Sequence, residues 1–275
     1  MSDTPDAPTA AVDLRDAVGR LDRAHGAGEL QAALLALLLP RGSKRARRAW
    51  QIETNAAPGA DALRACVAAL PGPARLAWFD ALLARMAAQP LAARQGILQA
   101  TRRVMGARGV ARPIDRLHWL AMRRGLGETS APAPTPSDAQ SEVAEWLESD
   151  VLAVAVYTAF LSRMVPGEEA DGPDGQAWYD AAMSTWQPFA DIPAWEPPNA
   201  EAMVEALAKM QTLSWVQRPV IVRTWATAAQ SQSRGLRFTD LSADALRLSC
   251  DLLDSPMPPE LEHHFALAPG TAPSR

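Results

Sequence analysis

An all-α fold is predicted by three observations. Apolar residues recur at helical spacing between breaks marked by Gly and Pro. Alternating β-branched runs bounded by turns are absent. The chain also contains itself twice: Leu83-Ala84-Arg85-Met86 returns as Leu207-Ala208-Lys209-Met210, Ala49-Trp50 as Ala177-Trp178, and Leu39-Pro40 as Val165-Pro166. Arg108-Gly109-Val110 likewise returns as Arg234-Gly235-Leu236, so the offset stays between 124 and 128. This pattern predicts two tandem, duplicated helical-bundle repeats over 10–128 and 142–266. A Pro-rich linker is expected at 129–141, with flexible tails at 1–9 and 267–275.

Helical periodicity starts near Ala10, with Leu14, Val18 and Leu21 on one face, and breaks at Gly26-Ala27-Gly28. A second helix is predicted from Glu29 to Leu39. Its run Ala32 to Leu39 is the longest apolar one and falls far short of the ~20 residues of a membrane span, so it reads as a buried helix. Ser43 is placed to cap a basic helix through Gln51. Helices follow over Asp61 to Leu70 and Ala74 to Ala88, separated by Pro71-Gly72-Pro73. Pro90 opens the next helix, Gly106 to Gly109 ends it, and a last helix of the first half spans Pro113 to Arg124. The second half restarts with the apolar stretch Val143 to Met164. Gly167 to Gly175 reads as an acidic loop, then a helix around Trp178, an irregular stretch from Pro188 to Pro198, and helices over 200–213, 216–231 and 240–253. The best strand candidate, Val220-Ile221-Val222, sits where the repeat places a helix.

The length, 275 residues with 48% apolar and 21% charged, allows a real core in each half. Cys66 and Cys250 belong to no CxxC or Cys/His cluster, which predicts buried, reduced thiols in a cytosolic protein; a bridge between the halves is the alternative. The acidic, polar start from Met1 to Asp16 does not read as a secretory signal, and a cytoplasmic protein is expected, with peripheral association at the inner membrane as a variant.

Charge is divided unevenly. Residues 1–128 hold 19 Lys and Arg against 11 Asp and Glu, and residues 129–275 hold 8 against 20. Arg41, Lys44, Arg45, Arg47 and Arg48 crowd the start of one predicted helix, where positive charge opposes the helix dipole. Arg102, Arg103, Arg108 and Arg112 gather around a later turn. Both groups are candidate contacts for an anionic partner: an acidic protein face or a membrane surface. Nucleic acid is disfavoured by the pI near 5.6 and by the lack of a recognition motif. Trp186, Phe189 and Trp195 fall in or beside the proline-rich stretch. They either pin that loop to the helices or form a protein-binding patch.

No residues are assigned to catalysis, to a cofactor or to a metal. HExxH, GxSxG, P-loop and GxGxxG motifs are absent. His263 and His264 are adjacent, so on a helix they point about 100° apart, and no further ligand completes a site. Glu168, Glu169, Asp171 and Asp174 read as a solvated loop without calcium-ligand spacing. His118, beside Trp119, reads as structural.

The segment from Leu63 to Leu126 resembles the TerB-like helical domain associated with tellurite resistance. It is also similar to the helical C-terminal region of some HtpX-like metallopeptidases. The motif that carries the resemblance is a helix, Ala-Asp-Gly, a short turn, and an acid opening the next helix. Here it stands as Ala107-Arg108-Gly109 then Asp115, and again as Ser233-Arg234-Gly235 then Asp240. The family's acidic residues at this turn can bind metal; here Arg108 and Arg234 replace a carboxylate, so no cation site carries over. Gly109 and Gly235 are expected to supply a left-handed turn residue. The resemblance implies a helical interaction module linked in bacteria to envelope stress and membrane-associated complexes. The expected function is therefore a non-catalytic scaffold or adaptor with a protein partner or an anionic surface, in an envelope- or metal-stress complex. The alternatives are an enzyme with a site between the repeats, or an accessory subunit of a metallopeptidase complex.

Overall fold

The computed structural model describes residues 13–40, 42–127, 145–167, 173–232 and 237–266. Among them there are thirteen α-helices, one short 3₁₀ turn and no strand. The expected linker and tails lie outside the described residues. The fold is all-α, and the Val220-Ile221-Val222 stretch is helical. The chain divides into two units, with the boundary at Ala107/Arg108 rather than at the linker.

The first unit holds α1 (Leu14–Asp22), α2 (Ala27–Leu37), α3 (Lys44–Thr54), α4 (Ala60–Ala69), α5 (Gly72–Ala87) and α6 (Leu91–Gly106). α2 is its axis and packs against α3, α4, α5 and α6. This explains its composition: every residue from Ala32 to Leu37 is buried, because no face of the helix meets water. Its start is set by Glu29, whose carboxylate accepts the N–H groups of His25 and Gly26 at 3.3 and 3.2 Å. Two arginines close three helix ends. Arg85 donates to the Leu21 and Asp22 carbonyls at 3.1 and 2.9 Å and pairs with the Asp22 carboxylate at 2.8 Å, at the end of α1. Arg75 donates to Leu37 O at 2.9 Å and to Val67 O at 3.0 Å. A cation at a helix C-terminus satisfies bare carbonyls and meets the negative end of the dipole.

The second unit holds α7 (Pro113–Gly125), α8 (Glu148–Leu161), α9 (Pro173–Met183), α10 (Ala200–Gln211), α11 (Gln217–Gln232), α12 (Asp240–Leu252) and α13 (Pro259–Ala266). α8 is buried over most of its length and packs on α9 and α10. Buried hydroxyls tie its neighbours to it: Trp225 Nε1 donates to Thr158 Oγ1 at 2.8 Å, and Tyr157 Oη lies 3.1 Å from Ser249 Oγ. The helix α13 was not anticipated from the sequence. α7 packs on α12, which places it in this unit although its sequence belongs to the first predicted repeat. Arg124 on α7, Arg218 on α11 and Gln211 on α10 all donate to carbonyls at the end of α12: Leu252 O at 2.6 and 2.7 Å, and Leu253 O at 2.7 Å. Cys66 and Cys250 are both buried and free.

Candidate functional site

The first basic cluster is built on α3. Gly42 precedes it with φ 80°, and Ser43 Oγ accepts the Ala46 N–H at 3.2 Å, so the cap expected at Ser43 is present. Ala46, Trp50 and Thr54, spaced by four, are the buried face. Trp50 Nε1 donates to Ala32 O at 3.0 Å and the Thr54 hydroxyl to Trp50 O at 2.9 Å, fixing the rotation of α3 on α2. That rotation leaves Lys44, Arg45, Arg47 and Arg48 exposed. Among the described residues none of the four forms an ion pair. Arg41 lies outside the described residues.

Helical spacing sorts these cations into two rows. Arg45, Arg48 and Ile52 succeed one another at steps of three and four on the outer surface, with Ile52 64% exposed. Lys44 and Arg47 are three apart and border a cavity at the head of the helix. At the other end of α3, Glu53 accepts two hydrogen bonds from Arg103 on α6, at 2.6 and 2.7 Å.

The second predicted cluster is divided between the two units. Arg102 and Arg103 belong to the first unit, Arg108 and Arg112 to the second. Arg103 is engaged by Glu53, though still exposed. Arg108 is a correction: its side chain is only 6% exposed and donates to both oxygens of Asp115 at 2.8 Å. Arg112 binds the same carboxylate, through Nη2 at 3.0 Å and its backbone N–H at 3.1 Å. Burial alone would raise the Asp115 carboxyl; the hydrogen bonds from Arg112 and the charges of Arg108 and Arg112 outweigh it and hold it below the ordinary range. Burial pulls the Arg108 guanidinium below its usual value against the pull of Asp115. Arg108 is therefore buried in the unit, and Arg112 is paired with the same carboxylate while its side chain stays 40% exposed. Gly109 has φ 91°, the left-handed turn residue expected; Gly235 lies outside the described residues.

The aromatic candidates also separate. Trp186 is 1% exposed and meets the Trp146 ring edge-on at 4.4 Å, so it is core and not a contact surface. Trp195 is half-buried, and its Nε1 donates to Ser162 Oγ at 2.8 Å. Tyr179 Oη adds a bond to Pro193 O at 2.8 Å. Together these pin the irregular stretch to α8 and α9, and Phe189 alone of the three stays open, at 49% exposed. The most open tryptophan is one the sequence reading passed over. Trp215 is 78% exposed, next to Val216. The available signal was Ser214-Trp215-Val216-Gln217, a capping box: Gln217 Oε1 accepts the Ser214 N–H at 3.1 Å, which sets the two middle residues on the outside of the turn.

His118 has Nδ1 3.0 Å from Ile114 O, and desolvation pushes its pKa down to about 4, so the ring is neutral near pH 7. Among the described residues no three His, Cys, Asp or Glu side chains gather as a metal site, and no helix is long and apolar enough to cross a membrane. No known protein family, curated protein or solved structure matches the chain.

Proposed function

We propose that this chain is a non-catalytic helical adaptor whose first unit binds an acidic face of a protein partner through the outer row of α3. The observation that carries this reading is the exposed, unpaired row Arg45–Arg48 continuing into exposed Ile52. Two guanidiniums and an aliphatic side chain in register suit an acidic surface with an apolar contact at its centre. Charge at the positive end of α3 costs helix stability, so helix formation does not explain its presence. The TerB-like resemblance supports a bacterial setting in an envelope- or metal-stress complex, with the protein cytoplasmic and peripheral at the inner membrane. At the turn that carries that resemblance, the Arg108 guanidinium bound to Asp115 supplies the positive charge internally. Two sequence-related halves, Trp50 and Trp178 both buried in them, support a duplicated interaction module.

The test is affinity purification of the tagged protein from its host at low and high salt, beside an Arg45→Glu/Arg48→Glu variant. A partner captured at low salt, released at high salt and absent from the variant supports the reading. Equal capture by the variant overturns it.

A further inference from the structure

The inner row of α3 faces something different. Lys44 and Arg47 border a cavity of about 430 Å³ whose walls also carry Arg64 from α4 and Arg75 from α5. Among the described residues no carboxylate lines it. Its apolar walls come from Ala36, Leu39 and Pro40 on one side and Val67 and Ala68 on the other. That volume lies within the range of small-ligand sites, roughly 300–1,000 Å³.

The four cations are held in different ways. Arg75 is fixed by its bonds to Leu37 O and Val67 O, so its guanidinium cannot swing out to water. Arg64 lies over the Trp50 ring at 5.7 Å from the centroid. Its one acidic neighbour, Asp61, is 3.6 Å away and 76% exposed. Arg64 Nε makes no hydrogen bond; the 3.6 Å contact to Asp61 Oδ1 runs through this same atom. Lys44 and Arg47, both exposed, complete the wall. The cavity thus brings positive charge from three helices to walls that are otherwise largely aliphatic.

We propose that this cavity is a binding site for a phosphate monoester carried on a short apolar body. A monoester holds a charge of about −1.5 to −2 at pH 7 and three acceptor oxygens, which matches several cations better than a single carboxylate does. Arg47 and Arg64 supply directed N–H groups, Lys44 a point charge, and Arg75 field without a free hand. The apolar body lies against Leu39, Pro40, Val67 and Ala68. The inference is independent of the adaptor reading, since it uses residues 44, 47, 64 and 75, and not 45 and 48.

The experiment is calorimetric titration of the full chain with hexyl phosphate and with inorganic phosphate. Hexyl phosphate is expected to bind more tightly than inorganic phosphate, at least about tenfold more weakly to a Lys44→Gln/Arg47→Gln variant, and with unchanged affinity to Arg45→Gln/Arg48→Gln. Lys44 and Arg47 are exposed, so the variant keeps its core, which an unchanged melting temperature verifies. Absence of heat at millimolar hexyl phosphate, or equal binding by the Lys44/Arg47 variant, overturns the site. Equal affinity for the two phosphates overturns its apolar half. Vesicles of phosphatidic acid separate the sources: competition with hexyl phosphate assigns a lipid headgroup, and undiminished hexyl phosphate binding assigns a soluble ester.

Discussion

Two groups of arginines that look alike along the chain end in opposite physical states. On α3, Arg45 and Arg48 are exposed and form no ion pair among the described residues, while Arg108 and Arg112 close on one buried carboxylate. The difference lies in what each backbone path brings near. α3 follows a cap and presents a face with no acid among its outer residues. After Arg108 the chain turns at Gly109 and starts α7, whose third residue, Asp115, swings back under the guanidinium. A run of like charges is a surface only if the fold delivers no counter-charge to it. The paired arginines are neutralised within their unit, and the unpaired ones keep their charge exposed.

The largest expected effect is at the buried pair. Asp115→Ala leaves Arg108 charged and unpaired in the interior and is expected to cost about 3–5 kcal/mol in chemical denaturation; a loss under 1 kcal/mol would erase the contrast between the clusters. The same pair fixes the pH response. The folded Asp115 carboxyl titrates below its ordinary value, so its contribution is complete above the ordinary carboxylate range and disappears as pH falls through the lower folded value. An Asp115→Asn protein should therefore show a flatter acid limb of stability against pH than the native chain.

Next in size is a functional effect with almost no change in stability. Arg45→Glu/Arg48→Glu should abolish salt-sensitive partner capture while folding stability stays within about 0.5 kcal/mol, as for surface substitutions generally. A large drop in stability would mean that α3 uses these charges internally. The aromatic pair repeats the contrast on a smaller scale. Trp195→Phe removes the bond to Ser162 and should cost roughly 1 kcal/mol by denaturant titration, whereas Phe189→Ala, at an open position, should change stability much less. The smallest effect belongs to Arg103→Gln. Arg103 is 57% exposed, its pair with Glu53 is screened by water, and the melting temperature should not move measurably.

Much of the architecture was legible in the chain because it depends on short-range regularities. Leu30, Leu34 and Leu37 with the alanines between them announce a helix apolar on all sides, and α2 is one. Ser43 announces a cap, Gly109 a left-handed turn, and the adjacent Ala-Trp pairs at Trp50 and Trp178 two core anchors. The site was legible only in part. The excess of arginine was plain, but its division into bound and free residues was not, because Asp22, Glu53 and Asp115 reach their arginines from 63, 50 and 7 positions away. The same holds for Trp186, whose neighbour Trp146 is distant in sequence.

The sequence by itself thus determined the all-α class, the order of the helices before α13, the two apolar axes and the basic bias of the first half, since periodicity, capping and composition act within a few residues. Tertiary structure alone decided which charges are paired and which stay unpaired. It turned α3 so that Arg45 and Arg48 face outward and Lys44 and Arg47 border a cavity. It carried α7 onto α12, and it buried Arg108 with Asp115. The physical reason is that electrostatic pairing and burial depend on distance through space, and the packing of one helix on another sets that distance.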